Sequence, residues 1–174
     1  MLLIITGNGK GKTTSALGTA FRAAGWGEKV AVTFFDKGGS HYGEQAILDE
    51  LKAKIHTRRF GLLRFDEVKR TFRFENTAED IAEAVRGVEE VKSMLKKDFF
   101  LVLCDELINC LNLKLLEKKH VVELLEACPP KTHLILTGRN VPEWLHEKAD
   151  LVSEIKEVKH YFKQGQDAIK GLDF

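Results

Sequence analysis

The chain opens on a short apolar run, Leu2, Leu3, Ile4 and Ile5, and breaks at once into Thr6-Gly-Asn-Gly-Lys-Gly-Lys-Thr-Thr14. Such a run bounded by a glycine-rich turn predicts a buried strand. From Thr13 to Ala24 the spacing becomes helical, with Ala16, Leu17, Ala20, Phe21 and Ala24 on one stripe and Gly25 and Gly27 closing it. The same alternation continues. Residues 29–35 predict a strand, 43–53 a helix and 55–59 a short strand. Thr77 and Asp80 form the capping box of a helix whose buried stripe is Ile81, Ala84, Val85, Val88, Val91 and Leu95. Residues 99–104 read as a fully buried strand, 113–127 as a helix stopped by Pro129-Pro130, and 132–137 as another strand. A short helix follows Pro142, and 151–155 read as a last core strand. Strands alternating with helices predict an α/β fold with a mostly parallel sheet covered on both faces. Residues 60–77, with Phe60, Phe65, Phe72 and Phe74 among basic residues, predict a long functional loop.

Composition narrows the field. At 174 residues the chain fits one domain, 1–174, with a core that needs no staples. A net charge of +1 gives no basic surface for nucleic acid or membrane, so an anionic ligand must be held by local groups. Cys104, Cys110 and Cys128 are odd in number and show no metal or disulfide spacing, which points to a reducing cytoplasm. The first apolar run lacks a basic prelude and reads as a strand, not a signal peptide.

The loop carries the chemistry. A strand that feeds a helix through Gly-Lys-Thr is a phosphate cradle, and here Gly7, Asn8, Gly9, Lys10, Gly11, Lys12, Thr13 and Thr14 form it. Its backbone N–H groups turn toward anionic oxygens, Lys12 reaches phosphate, and the Thr13 hydroxyl suits Mg²⁺. Thr6 stands where the usual spacing has glycine. The strand at 99–104 delivers Asp105 and Glu106 at its carboxyl end, where either can meet the metal beside Thr13. Arg139, after the next strand, is a candidate phosphate ligand, as are Lys10 and Arg22. His41, His56, His120, His133 and His146 show no metal spacing, and no side-chain base is apparent near the loop.

The pattern as a whole resembles the ATP:corrinoid adenosyltransferases of the CobA/BtuR type. The loop with Thr6 in place of glycine is similar to that family's, and so is Phe21-Arg-Ala-Ala-Gly-Trp-Gly27. Residues 34–38, 103–107 and 136–139 match further blocks. The most specific likeness is the closing stretch: Lys159-His-Tyr-Phe162, Gly165, Ala168 and Gly171-Leu-Asp-Phe174. Residues 55–77 depart from the family, which carries Gly-Phe-Thr-Trp there. This chain reads Arg59-Phe-Gly-Leu-Leu-Arg-Phe65, making Phe60 and Phe65 the candidates for an aromatic wall against the corrinoid.

The resemblance implies a P-loop NTPase-type three-layer fold and transfer of the 5′-deoxyadenosyl group of ATP to the cobalt of cob(I)alamin, with triphosphate leaving. It also implies Mg²⁺, an ATP reversed to present its ribose to the open side, a flavoprotein or other reductant, and a homodimer. Lys12, Thr13 and Glu106 are then the catalytic candidates. Cobalt(I) is itself the nucleophile, so the step asks for held geometry and charge stabilisation on the leaving group. A P-loop ATPase or small-molecule kinase, or a non-catalytic nucleotide-binding module, shares the loop. Products separate the three: triphosphate with a cobalt–carbon bond, ADP, or unchanged ATP.

Overall fold

A computed structural model describes residues 1–39, 42–66, 71–73 and 75–174, with the backbone alone at 65, 66, 71 and 72. His41, Phe74 and the side chains of Phe65 and Phe72 lie outside the described set. In chain order the elements are β1 (Leu2–Thr6), α1 (Lys12–Gly25), β2 (Val30–Phe34), α2 (Gly43–Glu50), β3 (Ile55–Arg59), β4 (Phe65–Asp66), β5 (Thr71–Phe72) and α3 (Ala78–Leu95). Then come β6 (Leu101–Asp105), α4 (Leu107–Asn112), α5 (Lys118–Glu126), β7 (His133–Thr137), α6 (Glu143–His146), β8 (Leu151–Glu154) and a 3₁₀ turn at Tyr161–Gln164.

Six strands form one sheet in the order β3-β2-β6-β7-β1-β8, and every neighbouring pair is parallel. Alternation within each strand serves both faces. Ile4, Ala31, Val102, Cys104, Leu134 and Leu136 join the layer with α3, α4 and α5, whereas Ile5, Val32, Phe34, Leu103 and Ile135 join the layer with α1. Because both faces are covered, the central strands read as unbroken apolar runs rather than alternating ones. This is the α/β three-layer architecture expected from the sequence.

Four expectations are corrected. The last strand is not in the core: β8 is a sheet edge, and Leu151 is 49% exposed. The helix expected over 113–127 is the shorter α5, Lys118–Glu126, and a helix that was not expected, α4 at Leu107–Asn112, precedes it just after β6. A six-residue apolar helix merges with the strand before it, because periodicity cannot divide so short a run. The helix expected over 43–53 stops at Glu50. The irregular stretch 60–77 contains the small antiparallel pair β4–β5, and its Arg64 is buried, donating to Asp36 at 2.8 Å and to Asn76 at 3.2 Å.

The capping box of α3 is present. Asp80 N–H donates to the Thr77 hydroxyl, and Asp80 Oδ2 accepts from Thr77 N–H at 2.8 Å. Arg73 adds a hydrogen bond to Asp80 Oδ1 at 2.9 Å. The Arg73 hydrogen bond, ahead of those from Thr77, holds this buried carboxyl well below the ordinary Asp value of 3.8. A carboxylate whose folded pKa is depressed stabilises fully above its unfolded pKa, and that stability is lost as pH falls through and below it. Asp80→Asn is therefore expected to cost about 1–3 kcal/mol at pH 7, with the deficit shrinking below pH ~4. Urea unfolding at pH 7 and pH 3.5 checks this, and a pH-independent deficit contradicts it.

Candidate active site

The glycine-rich loop leaves β1 at the carboxyl edge of the parallel sheet, where α/β folds place ligands. Gly7 has φ +102°, and a Cβ there would lie 2.3 Å from the Ile155 carbonyl oxygen. Gly9 N–H donates to that same oxygen at 2.8 Å, so the loop is docked on the chain leaving β8. Lys12 opens α1 and is 7% exposed, its ammonium donating to the Gly9 carbonyl at 2.8 Å. Burial first, then Arg139, lowers the Lys12 pKa, against the opposing pull of Glu106 and Asp105. An incoming anion would meet a poorly solvated cation.

The end of β6 lies two strands away, with β7 between. Asp105 is fully buried; its Oδ1 accepts from the Thr137 hydroxyl at 2.7 Å and its Oδ2 from the Thr13 hydroxyl at 3.1 Å. The Lys37 ammonium stands 2.7 Å from Asp105 Oδ2. Thr137, at the end of β7, also accepts from Glu106 N–H at 2.8 Å. Glu106 adopts left-handed backbone (φ 63°), a cost that a non-glycine residue bears where tertiary contacts fix it. Burial, then the neighbouring Asp105, raises its carboxyl pKa, and Asn109 donates a hydrogen bond to that carboxylate. Asn109 Oδ1 in turn accepts from Arg139 N–H at 2.7 Å, and the Arg139 guanidinium donates to the Asn8 carbonyl at 3.1 Å.

These groups border a cleft of about 830 Å³. Of the residues singled out in the sequence, Gly9, Lys10, Gly11, Lys12, Thr13, Thr14, Glu106 and Arg139 line it. Asp105 lies buried behind them. Gly7 and Asn8 support the loop from outside, with Asn8 Oδ1 accepting from Glu157 N–H at 3.0 Å. Two candidates are elsewhere. Arg22 is exposed and outside the lining. Phe60 is 8% exposed and packs on Phe35, with the Arg86 guanidinium 5.3 Å from its ring centroid, so its ring is not at the cleft.

Other site residues were not legible as such. Phe21 read as part of the buried stripe, yet it is 38% exposed and lines the cleft with Thr14, Leu17 and Gly18, the spacing of one helix face. Lys37 and Thr137 fell within the matched blocks 34–38 and 136–139 without being singled out, and Asn109 gave no local signal. The closing stretch folds back to supply Gly171–Phe174 as a wall. Asp173 anchors it, accepting from Tyr161 at 2.6 Å and from Ile169 N–H at 2.7 Å, with the Lys10 ammonium 2.9 Å away.

Among the described residues no group of three or more His, Cys, Asp and Glu side chains is placed to hold a metal by itself. The donor set fits a different kind of site. Mg²⁺ uses one or two carboxylates, a hydroxyl and substrate phosphates, and keeps several waters. Thr13 Oγ1 and Asp105 Oδ2 converge, and a cation already stands on both, the Lys37 ammonium at 3.4 and 2.7 Å.

Comparison with known proteins agrees with this geometry. A family model described as ATP:corrinoid adenosyltransferase BtuR/CobO/CobP matches residues 1–174. The corrinoid adenosyltransferase of Escherichia coli K12 is 35% identical over 100% of this chain and 85% of its own length. That of Pseudomonas aeruginosa is 36% identical over 100% of this chain and 83% of its own. The corrinoid adenosyltransferase CobA of Salmonella typhimurium LT2 is 34% identical, again over 100% and 85%. A KaiC-like protein of Pyrococcus horikoshii superposes with a TM-score of 0.49 at 16% identity, over 91% of this chain and 72% of that one. With a family match from end to end and relatives above 30% identity over its full length, the chain belongs to the ATP:corrinoid adenosyltransferase family.

Proposed function

We propose that residues 1–174 act as one domain that transfers the 5′-deoxyadenosyl group of ATP to the cobalt of a reduced corrinoid. The observation that carries this reading is the polarity of the cleft. One end gathers Lys12, Arg139 and the loop N–H groups, and the other, along α1, is lined by Leu17, Gly18 and Phe21. Lys12 and Phe21 are nine residues apart, about 13 Å along the helix. A ligand with an anionic tail and a flat, less polar body suits such a cleft.

In the step itself an electron pair of cobalt(I) forms the Co–C5′ bond while the C5′–O bond breaks, its pair leaving with triphosphate. Lys12 and Arg139 stabilise the charge that grows on that leaving group, and the rigid loop holds the 5′ carbon in line. Thr13 and Asp105, with Glu106 beside them, are the residues that would hold Mg²⁺, which would supply further charge neutralisation when bound. Phe65 remains the candidate for an apolar wall against the corrinoid. The same reading gives a cytoplasmic enzyme acting as a homodimer with a flavoprotein or similar reductant.

ATP, Mg²⁺ and chemically reduced cobalamin are expected to give a photolabile cobalt–carbon product and one triphosphate per corrinoid, followed by absorbance and anion exchange. Release of ADP and phosphate instead contradicts the proposal. The wall built by the closing stretch gives a second test. Asp173→Asn weakens three hydrogen bonds at once, so ATP affinity is expected to fall roughly two- to tenfold. Inorganic triphosphate, which needs only the loop, is expected to bind no more weakly. Calorimetry with both ligands decides, and equal losses would assign Asp173 to the loop rather than to the nucleoside end.

A further inference from the structure

Lys37 belongs to neither the phosphate loop nor the acidic pair, yet it stands at their junction. The turn after β2 is fixed closely: a Cβ on Gly38 would lie 2.2 Å from the Leu62 carbonyl carbon, and Lys37 N–H donates to the Phe60 carbonyl at 3.3 Å. The side chain is 11% exposed. Its ammonium lies 5.1 Å from the Phe34 ring centroid and 5.0 Å from that of Tyr42. Three oxygens surround it: Asp105 Oδ2 at 2.7 Å, Thr13 Oγ1 at 3.4 Å and Glu44 Oε1 at 3.5 Å. Two of these are the atoms read above as metal ligands.

We propose that Lys37 is a resident cation in the divalent-metal seat, which bars the metal alone and admits it only together with the triphosphate. The proposal rests on the reading of Thr13 and Asp105 as metal ligands. The reasoning is electrostatic. A dication and an ammonium cannot share one carboxylate oxygen and one hydroxyl at contact distance, so the ion must displace Lys37. Without an anion, displacement strands a buried ammonium and leaves the pocket strongly positive. With a triphosphate bound, the released ammonium stays in the cleft, which it lines, and gains phosphate oxygens as partners. Lys37 is thus a positioning residue that couples metal to nucleotide, and such coupling is reciprocal.

Mn²⁺ alone, without nucleotide, is the probe, with free ion counted by electron paramagnetic resonance. Wild-type protein is expected to bind it weakly, and Lys37→Met about tenfold or more tightly, the scale of a charge-assisted contact. In Lys37→Met, Mn²⁺ is also expected to raise the melting temperature more than in wild type, and inorganic triphosphate to tighten Mn²⁺ binding less. Lys37→Gln, neutral and still able to hydrogen-bond Asp105, serves if the Met variant does not fold, with the same direction expected. Unchanged or weaker Mn²⁺ binding in the folded variant overturns the proposal. Adding Asp105→Asn separates the two ideas: it should abolish the gain. A gain that survives Asp105→Asn removes the metal reading, and this proposal with it, whereas adenosyl transfer by wild type is scored independently.

Discussion

Replacing Lys12 by Ala is expected to lower kcat/KM for adenosyl transfer by about 10²–10³-fold, the usual loss when one preorganised donor to a developing charge is removed. The side chain is 7% exposed and its ammonium is held by a single backbone carbonyl, that of Gly9. Among the described residues no carboxylate bonds it, so its charge remains to be met by the ligand. In water such a cation would contribute little. Here burial and the nearby Arg139 already disfavour the charged form, and an arriving phosphate relieves both effects. The loss should fall on both ATP affinity and turnover, because triphosphate is charged before the reaction and more so at the leaving oxygen. Lys12 is a member of neither apolar core cluster, so the fold is expected to survive. The assay uses preformed cob(I)alamin, which removes the reduction step from the measurement. Retained activity in a folded Lys12→Ala protein would count against the loop as the grip on the leaving group.

Asp105→Ala is expected to be the most damaging change to stability, costing about 3–5 kcal/mol, the scale for breaking a buried ion pair from one side. Asp105 is fully buried and accepts from Thr137, Thr13 and Lys37 together. Its loss leaves an ammonium that is 11% exposed without its contact carboxylate, facing the Thr13 hydroxyl at 3.4 Å and the more distant Glu44 carboxylate at 3.5 Å. Domains of this size are stable by about 5–15 kcal/mol, so the variant should be marginal at best. Urea denaturation measures the effect. Combining Asp105→Ala with Lys37→Met should recover part of the loss, since neither charge then needs a partner. A double variant no more stable than Asp105→Ala alone would mean that packing, not the ion pair, sets the cost. Neither variant is expected to retain more than about 1% of wild-type transfer activity, given what the loss of one charge-stabilising group costs.

The local features of this protein were legible because each closes within a few residues. The loop from Gly7 to Thr14 is a run of backbone geometry in which the sequence itself names the glycines. The capping box of α3 joins Thr77 to Asp80, three positions apart. The β1, β2, β6 and β7 strands are apolar runs because both faces of the sheet are covered, and that pattern survives in one dimension. Where an element was short or at an edge the pattern failed. Leu107–Asn112 has too few residues to show a helical period, and β8 is apolar enough to pass for a core strand although it lies at the rim.

The sequence alone determined that a strand, a phosphate loop and a helix follow one another here, and that an acidic pair ends a second buried strand. Its family likeness added the chemistry expected of them. Tertiary structure decided which groups meet. Thr13 and Asp105 are 92 positions apart, and Lys10 reaches a carbonyl 162 positions away at Leu172. Such pairs depend on strand order, which put β7 between the loop and the acidic strand and so placed Thr137 to hold both Asp105 and Glu106. The same packing turned Arg22 away, buried Phe60, exposed Phe21 to the cleft and set the Lys37 ammonium against Thr13 and Asp105. Local sequence carries dihedral preference and periodicity, but a site is made of distances between side chains, and those exist only once the sheet has assembled.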